Sequence, residues 1–359
     1  MLESLEQPFI RATCMVILAL LVFNLPSVIY KARLFVMGFM YLIFCNDKSF
    51  KAPSTDPGTV FVPLLKDGKD ESIQSKTIIF IRHGESTWND TFNKGSHRSL
   101  VVFVIGYIPG LMKSLMYEMY LLLTGKIDSW FYDSPLSTLG LGQTEQLAKF
   151  LQSPPATLTK QEKDLVDILN NDASAPASKF LASPLRRAIS TVAIALRHRL
   201  EKSSEAKITI HPSLQEIARN PDTLSITPPH TPVTASWIEQ DYKPIPDLQH
   251  LLHSHVDVSG HVGNKPIDTN GLKRMTAFNE YVFSSDVEES YVIVGGHSIW
   301  FRTFFKTFLP YGVDHVSKKK KIVNCGAVAL TLMKTKTEKD GVVYMVDPKS
   351  IQVIYGGFN

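Results

Sequence analysis

The segment KTIIFIRHGES, residues 76–86, constrains the fold more than any other stretch of the 359-residue chain. Thr77 to Ile81 are β-branched or aromatic throughout, the pattern of a buried strand, and the run stops abruptly at Arg82-His83-Gly84-Glu85-Ser86. Four further runs of this kind follow, around Phe180-Leu181 and at Ile208 to His211, Tyr291 to Val294 and Ile322 to Leu332. Helical patterns lie between several of them, among them Gly142 to Leu151 and Ala188 to Leu200. This alternation predicts an α/β fold, a three-layer αβα sandwich around a mainly parallel sheet. Ligands of such sheets sit beyond the carboxyl ends of the strands, so polar residues placed directly after a strand are the candidates for function.

The N-terminus departs from that pattern. Cys14 to Tyr30 carries no charge, and Phe9-Ile10 extends it beyond Arg11. A spanning helix needs ~20 apolar residues, a length this stretch just reaches if Arg11 snorkels to a headgroup region. A second apolar run, Leu34 to Cys45, is too short to span alone. Lys31, Arg33, Lys48 and Lys51 follow the first run, whereas Arg11 is accompanied by Glu3 and Glu6, so the bulk of the chain is expected on the cytosolic side of a membrane. A cleaved signal peptide fits less well, because neither a basic leading region nor a small-residue cleavage site is present. Residues 1–50 thus read as an apolar membrane anchor, 51–75 with Pro53, Pro57, Gly58, Pro63 and Gly68 as a linker, and 76–359 as the α/β domain.

Three insertions interrupt the domain, at about 92–128, 153–178 and 222–271. The first contains Leu100 to Leu123, with only Lys113 and Glu118 charged and Pro109-Gly110 in its middle. It reads either as a helix packed on the domain or, in favour here, as a broken amphipathic or re-entrant element in the bilayer interface. Membrane lipid is accordingly an expected partner of residues 9–45 and of 100–123. The second insertion reads as a polar surface helix, and the third, rich in proline and histidine, as a long loop or lid. A formal net charge of +4 without an aromatic–basic repeat gives no footing for nucleic acid. Cys14, Cys45 and Cys325 are odd in number and far apart, forming neither a disulfide framework nor a metal spacing. His250, His253, His255 and His261 lack the cysteine or paired carboxylates that would complete a metal site. Lys318 to Lys321 reads as a solvated turn.

The chemistry concentrates after three of the strands. Arg82 and His83 end the first, with Gly84 allowing close backbone approach to an anion. ASPLRRAIST, residues 182–191, puts Arg186 and Arg187 where a helix begins, a natural phosphate site. VIVGGHSIWFR, residues 292–302, places His297 and Ser298 after a strand and a Gly-Gly pair. Each feature alone is ordinary surface chemistry. A parallel sheet would gather all of them on one edge.

These motifs, RHGESTWN, DSPLSTLGLGQ, SPLRRAIST, LQE and VGGHS, stand in the order seen in the histidine phosphatase superfamily, which includes the cofactor-dependent phosphoglycerate mutases, and the chain resembles that family over roughly 76–332 with the insertions left out. The resemblance implies that His83 is the nucleophile, with Arg82, Asn89, Arg187 and Ser298 binding phosphate, His297 the second histidine of the pocket and Glu216 the general acid. Arg186 falls at a variable position, and Asp133 and Ser137 to Gln143 on a structural segment. No cofactor and no metal are implied. A neutral imidazole attacks through one nitrogen when an acceptor holds its other N–H, for which the family uses a backbone carbonyl. Arg82, Arg187 and a protonated His297 would then clamp the equatorial phosphoryl oxygens.

The substrate is a phosphorylated molecule that the sequence leaves unnamed. Where the mutases follow their glutamate with Arg-His-Tyr-Gly, this chain has Ile217-Ala218-Arg219-Asn220-Pro221-Asp222, which favours hydrolysis. A phosphomutase, or an inert membrane-tethered scaffold on the same fold, are the alternatives.

Overall fold

The computed structural model describes residues 2–66, 70–95, 98–203, 205–245 and 247–359. Gly68 of the expected linker lies outside them, as do residues 96–97 and 246 of two expected insertions and the side chains of Glu3, Glu6 and Phe9. Eight strands are present among the described residues: β1 Gln74–Arg82, β2 Ser178–Ala182, β3 Ile208–Ile210, β4 Val256–Asp257, β5 Tyr291–Gly296, β6 Ala327–Thr337, β7 Gly341–Val346 and β8 Gln352–Tyr355. The helices are α1 Leu2–Phe23, α2 Leu25–Phe44, α3 Pro57–Lys66, α4 Thr87–Phe92, α5 Leu100–Leu123, α6 Thr138–Gln152, α7 Lys160–Asn170, α8 Arg186–Ala195, α9 Arg197–Glu201, α10 Trp237–Gln240, α11 Leu248–His255, α12 Gly271–Val282, α13 Ser298–Phe308 and α14 Val316–Lys319.

The strands join in one sheet, ordered β4-β3-β2-β5-β1-β6-β7 with β8 also on β6. The five strands from β4 to β1 are parallel, whereas β6, β7 and β8 are antiparallel. Alternate residues of β1 enter opposite cores. Ile79 and Ile81 pack with residues of α6, α7, α8 and α11, and Ile78 and Phe80 with residues of α12 and α13. All four are fully buried, so the uninterrupted apolar run is the requirement of a strand covered on both faces. This is the three-layer αβα architecture. Phe80 stacks on Phe301 at 4.2 Å between centroids and meets Phe304 edge-on at 5.3 Å, which fixes α13 to the sheet.

Several segments differ from the sequence expectation. The uncharged stretch from Cys14 to Tyr30 is divided between two helices at Asn24, because Pro26 occupies the first turn of α2. The apolar run from Leu34 belongs to α2, whose 20 residues are long and apolar enough to cross a membrane. The linker contains α3, whose Phe61 is fully buried against Met333 and Met345. Leu100 to Leu123 is one continuous helix that tolerates Pro109 rather than a broken element. The polar helix α7 has a capping box at Thr159 and buries Leu165, Val166, Ile168 and Leu169, so only one face is polar. The expected long loop folds as α10, α11 and β4, with Val233, Ala235, Ile238 and Leu252 in the core. The last predicted strand starts five residues late. Cys325 sits at φ +57°, a left-handed turn that breaks the run, and Ile322 makes only an isolated bridge to Phe358.

His211, directly after β3, is half-buried with its ring 4.4 Å from that of Tyr281, and its buried Nδ1 has no partner. Burial pushes its pKa down from 6.5 to about 4. The unfolded chain therefore binds the proton more readily, and stability is lost as pH falls from 6.5 towards 4, by about 1.4 kcal/mol per pH unit. The His211→Phe variant is expected to lack this slope. Urea unfolding at pH 7, 6 and 5 measures it, and parallel profiles for the two proteins would refute the assignment.

Candidate active site

Strand register brings the expected groups together. Arg82 pairs in register with Gly296, and Ala182 with Gly295, so the carboxyl ends of β1, β5 and β2 finish level. After β2, α8 leaves on one face of the sheet; after β5, α13 leaves on the other. The chain runs outward through β2, β3 and β4 and returns to place β5 between β2 and β1, which opens a crevice at these strand ends. A cavity of about 680 Å³ occupies it, lined by Arg82, His83, Asn89, Arg187, Glu216 and Ser298 among others. His297 is completely buried and does not line the cavity; its ring lies 5.1 Å from that of His83.

The loop after β1 is locked to the start of α6. A Cβ on Gly84 would fall 2.7 Å from the Gly140 carbonyl oxygen, and one on Gly140 would fall 2.0 Å from that of Glu85, so both positions require glycine. Ser137 caps α6 and donates through its hydroxyl to Glu85 Oε2 at 3.0 Å, while the Glu85 N–H donates to Gln143 Oε1 at 2.9 Å. Asp133 to Gln143 thus support the loop.

His83 is held through Nδ1 by the carbonyl oxygen of Gly84, 2.6 Å away, which leaves Nε2 as the free nitrogen. Burial, then Arg187 and Arg82, drive its pKa well below 6.5. His297 Nε2 is 2.7 Å from the Ser183 hydroxyl, and its Nδ1 has no partner. Burial, Arg187 and His83 depress its pKa likewise. Its surroundings therefore hold His297 neutral at pH 7, where the sequence reading expected a protonated ring; a phosphate dianion is the kind of charge that would reverse this.

The two arginines are tied down at one end. Arg82 donates through Nη1 to the Ile322 carbonyl at 2.6 Å, and Arg187 through Nη1 to the Asp222 carbonyl at 2.6 Å, with Asp222 Oδ2 3.3 Å from Nη2. The Nε of each is buried without a partner. Burial raises Asp222 to about 6 despite Arg187 beside it. Arg186 turns away from the cavity into a buried ion pair with Asp128 at 2.8 Å and contacts to Asp133, a structural role. Asn89 faces the cavity, and its Oδ1 accepts from Asn93 Nδ2 at 2.6 Å.

Glu216 sits at the N-terminus of α13, accepting from Trp300 N at 2.9 Å and Ile299 N at 3.3 Å. Its loop is organised by Asp47, from the segment read as the anchor. Asp47 is fully buried between Lys265 and Arg274, each 2.6 Å away, and accepts from Ala218 N at 3.1 Å. Lys265 also donates to the carbonyls of Glu216 and Ala218, and Arg274 to those of Ser213 and Gln215.

Sequence reading did not single out Asp47, Lys265, Ser183 or Lys321. Lys321 lines the cavity and is half-buried, with its pKa lowered by burial and Arg82. Nothing in a run of four lysines distinguishes the one that faces inward. An aspartate three residues past an apolar helix was a usable signal for Asp47, since buried charge has to be paired. Of the four loop histidines, His255 Nδ1 is 2.8 Å from the Ala206 carbonyl, His250 lies beside Ser254 and His261 beside Ser225.

No family model matches the chain, and no curated relative matches it. Among solved structures it is similar to a mycobacterial glucosyl-3-phosphoglycerate phosphatase, at 14% identity, 76% of this chain, 97% of that chain and a TM-score of 0.34. It is also similar to ecdysone phosphate phosphatase from Bombix mori, at 16% identity, 78% and 92% coverage and a TM-score of 0.33. A phosphoglycerate mutase from Bacillus anthracis is 14% identical, with 77% and 94% coverage and a TM-score of 0.33.

Removing the Asp47 charge leaves Lys265 and Arg274 buried with no anion between them. Asp47→Asn is expected to cost about 3–5 kcal/mol in a urea titration. A loss below about 1 kcal/mol would show that the cluster does not organise this loop.

Proposed function

We propose that this chain hydrolyses phosphomonoesters through a phosphohistidine on His83. The observation that carries the reading is the Gly84 carbonyl on His83 Nδ1 at 2.6 Å, beside two buried arginines whose Nε atoms lack partners. That arrangement offers a neutral nucleophilic nitrogen next to donors suited to an anion.

In the first step His83 Nε2 bonds to phosphorus as the ester P–O bond breaks. Arg82 and Arg187 take the charge on the equatorial oxygens, with the N–H at the start of α13, Ser298 and Asn89 as further donors near the cavity. Glu216, facing the same cavity, gives its proton to the leaving alkoxide. In the second step water attacks the phosphohistidine, Glu216 takes the water proton, and inorganic phosphate leaves as the N–P bond breaks. His297, packed beneath His83, holds the phosphorylated ring in place and gains a proton favourably only once phosphate charge is near. The run Ile217 to Asp222 supports hydrolysis over a mutase reaction, since it puts the acidic Asp222 rather than a cation at the cavity wall.

The test is inorganic phosphate release from a panel of aryl and alkyl phosphates by the full chain in detergent with EDTA present. His83→Ala is expected to abolish turnover. Glu216→Gln is expected to lose about 10²–10⁴-fold on alkyl phosphates and much less on an aryl phosphate with a good leaving group. Undiminished release by His83→Ala would remove the nucleophile; label passing between two esters without phosphate release would make the chain a mutase, and no turnover by folded protein a scaffold.

A further inference from the structure

Among the described residues two helices are long and apolar enough to cross a bilayer, α2 and α5. At about 30 and 36 Å they match a hydrocarbon core of ~30 Å. Their packing points elsewhere. Along α2 the covered positions are Ser27, Lys31, Leu34, Gly38, Tyr41 and, just beyond its end, Cys45, one stripe at helical spacing from end to end. That stripe meets the α/β domain at several points along its length. Tyr30 donates to the Ile226 carbonyl, Lys31 to Asp128, Gly38 faces Tyr132, and Tyr41 donates to the Lys265 carbonyl. Along α5 the stripe is Phe103, Tyr107, Gly110, Ser114, Tyr117 and Leu121. Tyr107 lies against Phe92, Lys113 over the Trp130 ring, Tyr117 stacks on Trp237 at 3.8 Å, and Glu118 accepts from Ser129 and from Trp130 N. The helices are antiparallel, joined by Asn24 to the Leu123 carbonyl and by the Lys31–Glu118 ion pair at 2.6 Å.

A helix that rests on the α/β domain along one stripe cannot cross a bilayer without drawing Asp128, Ser129 and the sheet-packing helices into hydrocarbon. The other side of each is nonetheless apolar and open. Phe35, Val36, Phe39 and Ile43 of α2, and Ile105, Ile108, Met112 and Met116 of α5, are each about half or more exposed. α2 has no acidic residue, and the one on α5, Glu118, is held by Lys31. The outward charges on and beside these helices, Arg33, Lys48 and Lys126, are all positive.

From these contacts we infer that α2 and α5 lie in the plane of the membrane, inserted side by side into one leaflet of anionic lipid, with the α/β domain seated on them and neither helix spanning. The flanking basic residues favour the cytosolic leaflet, whose lipids carry the negative charge.

The experiment is a nitroxide depth scan of the full chain, in a Cys14→Ser background, bound to phosphatidylcholine–phosphatidylserine vesicles. Labels go singly at Val36, Ile43, Ile105, Met112 and Met119, while Cys45 and Cys325 are buried. In-plane helices give one shallow depth at all five positions, and vesicle binding weakens at high salt. Ile105→Glu combined with Met112→Glu is expected to weaken partitioning at least about tenfold. A spanning α5 would separate the depths of Ile105 and Met119 by about 20 Å and overturn the inference. Labels that stay in water overturn it too, whether α1 alone holds the chain on the vesicle or a second copy covers the face. Phosphate release plays no part in any arm, so the outcome is independent of the chemistry proposed for His83.

Discussion

The site exists because three parallel strands, β1, β5 and β2, end in register. Each is buried on both faces, and the hydrogen bonds of a parallel ladder allow little slippage once alternate side chains are committed to opposite cores. With Ile78 and Phe80 held on one face and Ile79 and Ile81 on the other, Arg82 and His83 have a single place to go. The same ladder delivers Ser183 and Gly296–His297 beside them. Helices leaving the strand ends on opposite faces then open the cavity, so the position of the histidine follows from sheet packing.

Collecting two guanidiniums and two imidazoles in one crevice creates an electrostatic problem, which the structure distributes. Asp222 pairs with Arg187, although burial raises its pKa to about 6. Arg82 rests on a carbonyl, and both arginines keep a buried Nε without a partner. The imidazoles respond by staying neutral, which suits a nucleophile. Polar groups left unsatisfied at a buried site are costly, and an oxyanion ligand is what such a set of donors satisfies.

The N-terminal segment also helps to shape the wall of the cavity. Asp47 stands three residues beyond α2, where that helix meets the loop carrying Glu216. The ion pairs with Lys265 and Arg274 are fully buried, and those cations hold the carbonyls on either side of the glutamate. The orientation of Glu216 is thus fixed from two directions, by Asp47 through its backbone and by the first turn of α13 through its carboxylate.

The α/β class, five of the eight strands described and the groups that follow them were legible in the sequence. Such features are local: an apolar run and the abrupt polar residue after it are legible without knowing what packs where. β7 and β8 were not read, although Val342 to Val346 is an apolar run as long as those that were, and their antiparallel pairing on β6 came only from the tertiary structure. Only tertiary structure decided that Arg187 turns into the cavity and Arg186 away from it, since adjacent residues at a helix start point in different directions. Likewise it decided the inward lysine among four, and the partner of Asp47, which lies more than two hundred residues away. Hydropathy measures how apolar a helix is, and both α2 and α5 meet the length and composition of a span. Which stripe of each is covered depends on what the chain folds against it, and that is a property of distant residues such as Trp130, Trp237 and Lys265.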